Sequence, residues 1–235
     1  MKGASVSITP ERSRSIFNKL QRSLAAQNFT GVIQPGKLRT EVYTENGKGD
    51  YQLQLKDNAP KLASGANREI RLKDQDAFVI TRVRVGVLLE TIAGPVGHET
   101  TYFYNPLLPF ADEVGGFQNA HLAALWNGNL YLKVGDTVYL ENFAIQDCYV
   151  ARTQQTTASL KSERLSGDGF IDITPQYGIQ GFADNDFRLK LPNINANHKI
   201  QYTATSKVVI QVELDGFKIT GAGTGTLKLN IGDLN

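Results

Sequence analysis

The chain has 235 residues, of which 41% are hydrophobic and 20% are charged, so it can bury one sizeable core or two small ones. No apolar run approaches the roughly 18 residues of a membrane-spanning helix. We expect no secretory signal, because no apolar stretch follows Met1 and Lys2. Cys148 is the only cysteine and the three histidines are widely separated. These features exclude an intramolecular disulfide and a four-cysteine metal site, and they predict synthesis in a reducing cytoplasm.

The formal net charge of +2 conceals an uneven distribution along the chain. Residues 1–40 carry seven basic residues and one acid, whereas residues 41–235 carry 18 basic residues and 22 acids. A cationic segment on a mildly acidic body predicts contact between that segment and an anionic partner, or between the segment and the body itself.

Residues 1–40 are predicted to be a basic amphipathic arm organised around one helix. Thr9 is placed as the N-cap and Pro10 at the first helical position, and the helix is expected to end near Asn28. A helix of about 18 residues is marginally stable alone in water, so it needs a partner surface or its own barrel to dock on. Apolar residues share one face and basic residues occupy much of the rest; the eight arm residues are Arg12, Arg14, Ile16, Phe17, Lys19, Leu20, Arg22 and Leu24.

Residues 41–67 are predicted to form an extended linker or hairpin. The segment 46–49, Asn-Gly-Lys-Gly, is a turn signal between two extended stretches, 40–43 and 51–55. Residues 58–67 contain a proline and two clusters of small residues, which are typical of a loop.

Residues 68–235 are predicted to form one all-β domain, because β-branched, alternating runs are separated throughout by Gly, Asn, Asp and Pro. The clearest hairpin joins residues 130–134 to 137–140 through the two-residue turn Gly135-Asp136. Residues 117–126 interrupt the pattern and predict a short internal helix. About eight to ten strands without a βαβ rhythm indicate a sandwich or jelly roll. The other predicted strands are Glu69–Leu72, Phe78–Thr91, Thr100–Tyr104, Tyr149–Thr153, Phe170–Ile173, Phe187–Leu191, Val208–Ile219 and Thr226–Ile231.

Candidate motifs for chemistry are better explained as structure, so we expect no enzyme activity, cofactor or metal. The glycine-rich segment 221–225 precedes a strand, whereas a phosphate-binding loop precedes a helix. Residues 184–186, Asp-Asn-Asp, lack the glycine and distal glutamate of a calcium loop and predict a turn that caps the next strand. Asp74 and Asp76 are expected to be solvated turn carboxylates. Cys148 is expected to be a buried structural thiol.

Three blocks of the chain resemble the jelly-roll major capsid proteins of tailless icosahedral, lipid-containing bacteriophages. Arg68–Thr81 resembles their opening strands, Asn127–Leu140 is similar to one of their hairpins, and Val208–Ile219 is similar to their closing strand. The resemblance covers roughly residues 66–220. It implies an all-β jelly-roll sandwich with an N-terminal helical arm and one short internal helix. A compact double jelly roll is the alternative, for which about 170 residues beyond the arm and linker are few.

The resemblance also implies a structural virion protein, a major capsid subunit that assembles into an icosahedral shell after synthesis in the host cytoplasm. The implied partners are copies of the chain, as a trimer or hexameric capsomer, and other virion proteins. Inner membrane lipid or the genome would meet the arm. The eight arm residues are then expected to make inter-subunit or inner-face contacts, and a chain that lacks residues 1–28 should fold but assemble badly.

Two other functions are weighed against the capsid interpretation. A virion spike, or a β-sandwich that binds carbohydrate or a receptor, is the alternative, with exposed aromatic residues around Tyr102–Tyr104 and Tyr177 as its site. A cupin-like enzyme would need clustered histidine and carboxylate ligands on facing strands, which three scattered histidines disfavour.

Overall fold

The computed structural model describes residues 10–29, 31–57, 69–91, 99–102, 125–148, 169–192, 194 and 206–221. These residues form one long helix, nine strands and one 3₁₀ turn. The prediction of an all-β domain behind an N-terminal helix is confirmed. In chain order the elements are α1 (Pro10–Ala25), β1 (Val32–Tyr43), β2 (Asp50–Leu53), β3 (Ala77–Thr91), β4 (Glu99–Tyr102), β5 (Asn129–Val134), β6 (Thr137–Ala144), a 3₁₀ turn (Ile145–Cys148), β7 (Ile171–Gln180), β8 (Asn185–Lys190) and β9 (Ser206–Thr220).

The strands form two antiparallel sheets that pack face to face as a sandwich. In sheet A the order is β1-β9-β3, and the far edge of β3 pairs with β7 along its first half and with β4 along its second half. In sheet B the order is β2-β8-β5-β6. The main core lies between the sheets and takes buried side chains from both, among them Phe78 and Val212 from sheet A and Leu132 and Phe187 from sheet B.

The central strands of sheet A, β3 and β9, are apolar on both faces near one end of their ladder. On β3, Phe78 and Ile80 point into the main core, whereas Ala77 and Val79 point to the opposite, outer face, where they belong to a second apolar cluster. The pairing of β3 with β9 shifts between Ile80 and Arg82, so Thr81 is an extra residue in a bulge. The bulge places Arg82 on the outer face beside its β9 partner.

Different contacts connect the two sheets at the two edges of the sandwich. On one side, the segment that precedes β3 pairs with both sheets, because Ile70 bridges Arg39 of β1 and Leu72 bridges Lys56 just beyond β2. The predicted strand Glu69–Leu72 is therefore only a pair of isolated bridges. On the other side, Tyr139 of β6 stacks on Tyr177 of β7, with ring centroids 4.8 Å apart.

Two predictions about local pairing have different outcomes. The hairpin of β5 and β6 is confirmed, and Gly135 has a positive φ of 57° at the first turn position, where a type II′ turn needs glycine. The hairpin predicted within residues 41–67 is wrong. β1 pairs with β9 in sheet A and β2 pairs with β8 in sheet B, so residues 44–49 cross between the sheets. Since β1 begins at Val32, residues 32–40 of the predicted arm are sheet.

Several predicted elements are longer, shorter or outside the described residues. β7 continues to Gln180, past the predicted end at Ile173, and Pro175 falls in the stretch 173–176 that makes no ladder pairs with β3. Of the predicted helix at 117–126, only Leu125 and Trp126 are described, and both are helical. The predicted strands Tyr149–Thr153 and Thr226–Ile231 lie outside the described residues. Among the described helices, none has the length and apolar character that crossing a membrane requires.

Candidate functional site on the outer face of sheet A

Helix α1 lies on the outer face of sheet A and covers an apolar patch there. Ile16, Leu20 and Leu24, spaced at about one turn, are 4%, 1% and 2% exposed. They form the second apolar cluster with four buried sheet residues, and the ring of Phe17 lies 5.8 Å from that of Phe217. The sheet residues of this helix-covered patch are Ala77, Val79, Phe217 and Ile219.

An ion pair connects the first turn of α1 to β7, the strand at the edge of sheet A. Arg12 donates from Nη1 to Oδ2 of Asp172 at 2.5 Å and from Nη2 to Oγ1 of Thr174 at 2.8 Å, so the guanidinium clasps the start of β7. Arg14 and Arg22 are exposed on the opposite side of the helix. The helix therefore presents its apolar stripe to its own sheet and two arginines outwards.

A charged cluster occupies the middle of the same outer face, next to the helix-covered patch. Two acids of β9 lie between basic residues of both neighbouring strands: Asp215 is in register with Lys37 and Arg82, and Glu213 with Arg39 and Arg84. Arg82 Nη2 lies 2.7 Å from Asp215 Oδ2, Arg39 Nη2 lies 2.8 Å from Glu213 Oε1, and Arg84 pairs with the other oxygen of Glu213. The charged cluster consists of Lys37, Arg39, Arg82, Arg84, Glu213 and Asp215.

Glu213 is the most deeply buried acid of the charged cluster, with a fully buried side chain. Burial alone would raise the pKa of Glu213. The charge and hydrogen bonds of Arg84, with the charges of Arg39 and Lys37, outweigh burial and lower the pKa below its ordinary value. Glu213 is therefore an anion in the folded protein at neutral pH, and its loss would leave buried Arg84 without this partner.

The ring of Phe170 lies beside three cations of the charged cluster. The Arg84 and Arg82 guanidinium carbons are 4.2 and 4.7 Å from the ring centroid, and Lys37 Nζ is 5.4 Å away. These distances are within cation–π range. Phe170 directly precedes β7 and thus helps to fix the entry of that strand onto sheet A.

A groove of about 420 Å³ opens between the first turns of α1 and the charged cluster. Its polar end is formed by Lys37, Arg82 and Asp215, and its apolar end by Pro35 and Phe217. Ser13 lines it from the helix, and Gly36, Gly216 and Thr81 complete the walls. At Gly216 of β9 a Cβ would lie 1.8 Å from the carbonyl oxygen of Val79, so only glycine fits at this position of the groove wall.

The structure brings the eight predicted arm residues together on α1, where they differ in what they contact. Ile16, Leu20 and Leu24 contact the chain's own sheet, with Phe17 packed beside them, so docking on its own barrel is the alternative that the structure adopts for these side chains. Arg12 is clasped to β7. Arg14 and Arg22 face outwards, and Lys19 is half-buried.

Most of the charged cluster was not predicted from the sequence as a site, although a signal for it is present. On β3 two basic residues stand at i and i+2, Arg82 and Arg84, and on β9 two acids have the same spacing, Glu213 and Asp215. Such spacing puts both charges of each strand on one face. If β3 and β9 were known to pair, cross-strand ion pairs would follow.

The other candidate motifs have structural explanations where they are described. The turn predicted at residues 184–186 lies earlier, at 181–184, because β8 already begins at Asn185. Asn185 Nδ2 donates to the carbonyls of Gln180 and Ala183 at 3.1 and 3.0 Å and so caps this turn. Cys148 is buried as predicted, and burial raises its pKa to about 12. The prediction for Asp76 is wrong: it is 3% exposed and pairs with Lys218 at 2.8 Å.

Aromatic residues named for the alternative binding function are only partly described. Tyr177 packs against the main core and stacks on Tyr139, so its ring has a structural partner. Residues 103 and 104 lie outside the described residues. In the described ranges no group of three or more histidine, cysteine or acidic side chains could hold a metal ion. Comparison of the chain with protein-family models, with curated proteins and with solved structures finds no match.

Proposed function

We propose that this chain is a structural virion protein, a capsid subunit that assembles with copies of itself into an icosahedral shell. The observation that carries the proposal is the nesting of its strand pairs. If the short strand β4 is set aside as an insertion, eight of the strands that the structure describes remain. The first pairs with the last, the second with the seventh, the third with the sixth, and the fourth with the fifth.

Nested pairs of this kind are what a long antiparallel ribbon gives when it is rolled up, which is how a jelly roll is built. Rolling adds two contacts between non-nested strands, and both are present: β9 pairs with β3 in sheet A, and β8 pairs with β5 in sheet B. These eight described strands belong to one sandwich, which favours a single jelly roll over a compact double one. Viral capsid subunits are a major class of this fold, and lectin domains and cupins are others.

The mechanism proposed for assembly is burial of surface between identical copies. Each contact is weak, and a closed shell sums many of them. Because α1 is fixed on the sandwich, its outward arginines Arg14 and Arg22 have a defined position relative to the strands. They support the part of the proposal in which the arm meets neighbouring subunits or the shell interior.

A carbohydrate- or receptor-binding sandwich is the second candidate, and one observation favours it. Tyr131 lies in β5 with its ring half-buried, and Lys190 Nζ of β8 lies 4.5 Å from the ring centroid. An aromatic ring flanked by polar groups can stack on a sugar face. This site differs from the aromatic residues that the sequence indicated.

Electron microscopy and light scattering of the purified full chain test the proposal. We expect closed particles, or discrete trimers or hexamers that close into particles as concentration or ionic strength is raised. A monomer at every concentration that binds defined glycans through Tyr131, with binding lost in Tyr131→Ala, would reject the capsid function in favour of the second candidate.

A further inference from the structure

The groove beside α1 has a composition that suits a small anion with an apolar part. Two cations, Lys37 and Arg82, and one carboxylate, Asp215, form its polar end, so its lining has a formal excess of one positive charge. A volume of about 420 Å³ lies within the range of small-molecule sites. Pro35 and Phe217 line the same groove and supply its apolar end.

Some N–H groups of Lys37 and Arg82 have no close hydrogen-bond partner among the residues that the structure describes. Lys37 Nζ lies 3.5 Å from Asp215 Oδ1 and 3.6 Å from Glu213 Oε2, which is longer than a hydrogen bond of 2.7–3.2 Å. The side chain of Lys37 is 35% exposed. Arg82 donates from Nη2 to Asp215, and its Nε is buried without a hydrogen-bond partner.

We propose that this groove binds a phosphate group, held by Lys37 and Arg82 and flanked by the hydroxyl of Ser13. Charge-assisted hydrogen bonds from a lysine and an arginine to phosphate oxygens are shorter and stronger than neutral ones. They would give a close partner to the Lys37 ammonium, which lies no nearer than 3.5 Å to the acids of the charged cluster. The apolar end would then contact the remainder of the ligand, which gives a phosphate ester an advantage over inorganic phosphate.

Two sources could supply the phosphate, and they share this chemistry. One is a free phosphate compound such as a mononucleotide, and the other is the backbone of a nucleic acid. Assembly as proposed above does not require this groove, so the binding experiment and the assembly experiment fail independently.

Isothermal titration of the full chain with inorganic phosphate and with adenosine monophosphate tests the site. We expect saturable binding of both, tighter for the nucleotide, and weakened about tenfold or more in Lys37→Gln, because one charge-assisted contact is lost. Lys37→Arg should retain binding, since it keeps the charge. Cooperative thermal unfolding of each variant verifies that it is folded.

Lys48→Gln is the matched control for a general effect of charge. Lys48 is similarly exposed, also pairs with an acid and also lies near an aromatic ring, but it is outside the groove. We expect its binding to equal that of the unmodified chain. The absence of saturable binding, unchanged binding in Lys37→Gln, or equal losses in both glutamine variants would each overturn the proposal.

A competition experiment separates the two sources of phosphate. A short single-stranded oligodeoxynucleotide without terminal phosphates is added to the complex with adenosine monophosphate. Displacement at low salt that weakens steeply with added salt identifies backbone phosphate as a ligand. Failure to displace the nucleotide identifies the groove as a site for free phosphate compounds, and the phosphate assignment stands in both cases.

Discussion

At the scale of single residues, the charged cluster shows how charged side chains can be buried on one face of a sheet. Each acid of β9 is opposite a basic residue on both neighbouring strands, so no carboxylate of this cluster faces another across a ladder. Removing two charges from water costs several kcal/mol per ion, and only close pairing offsets this cost. The cluster therefore contributes to specifying the pairing of β1, β9 and β3 more than to net stability.

Glu213→Gln is expected to destabilise the protein by about 3–5 kcal/mol at neutral pH, because it leaves buried Arg84 without its carboxylate. The folded-state pKa of Glu213 is lowered, so its contribution is fully present above the ordinary pKa of about 4.5 and is lost as pH falls through the folded value. Urea unfolding at neutral pH and near pH 3 measures the difference between the two proteins, which should shrink at low pH.

The control for this prediction is Glu45→Gln, at a glutamate that is 61% exposed and pairs with Lys48. We expect a change below about 1 kcal/mol, as for other surface pairs. If Glu213→Gln were as mild as this control at neutral pH, the buried charge would not need its partner and the account of the cluster would be wrong.

At the scale of elements, α1 is an integral layer of the fold and not a free arm. The apolar stripe of α1 packs against sheet A. Helices that bind a membrane surface insert their own apolar stripe into the headgroup region. A docked α1 therefore has no apolar face available for lipid. Contact with lipid through the stripe would require α1 to leave the sheet and expose Ala77, Val79, Phe217 and Ile219.

Leu20→Ala tests the docking of α1. Leu20 is 1% exposed, so its truncation should cost about 2–5 kcal/mol of local or global stability. We expect faster cleavage by trypsin at Arg14, Lys19 and Arg22 under native conditions, followed by mass spectrometry. Gln21→Ala, at an exposed neighbouring position, should leave the cleavage rate unchanged. Equal protection of both variants would mean that α1 is held by other contacts.

The elements were predictable from the sequence to the extent that their signals are local. Pro10 and the apolar spacing of Ile16, Leu20 and Leu24 gave the helix, and Gly135-Asp136 gave the hairpin. The partner of β1 was not predictable, because alternation shows which face of a strand is buried but not which strand lies beside it. The groove and the charged cluster depend on that non-local pairing, and so they were missed.

At the scale of the whole molecule, two apolar clusters lie on opposite faces of sheet A. The main core holds no residue of α1, and the second cluster holds the helix and the sheet residues beneath it. The two are separated by the backbone of β3 and β9. The sandwich can therefore be treated as a unit onto which the helix is added.

Deletion of residues 1–28 is expected to leave a folded sandwich with lower solubility. The main core is retained, so circular dichroism should show β-structure and unfolding should stay cooperative. The uncovered patch of Ala77, Val79, Phe217 and Ile219 should cause irregular association, seen as polydisperse scattering instead of uniform particles. Assembly of the truncated chain into the same particles as the full chain would show that neither α1 nor its arginines take part.

The position of β9 along the chain has a consequence for biosynthesis. β9 lies between β1 and β3, yet its residues, 206–220, are translated after every other described strand. Until the ribosome releases this segment, the first and third strands have no central neighbour, and the buried acids that neutralise their arginines do not yet exist. The ladder β1-β9-β3 therefore cannot form until residues 206–220 have left the ribosome, and until then the edges of β1 and β3 that face β9 stay exposed to chaperones or misassociation.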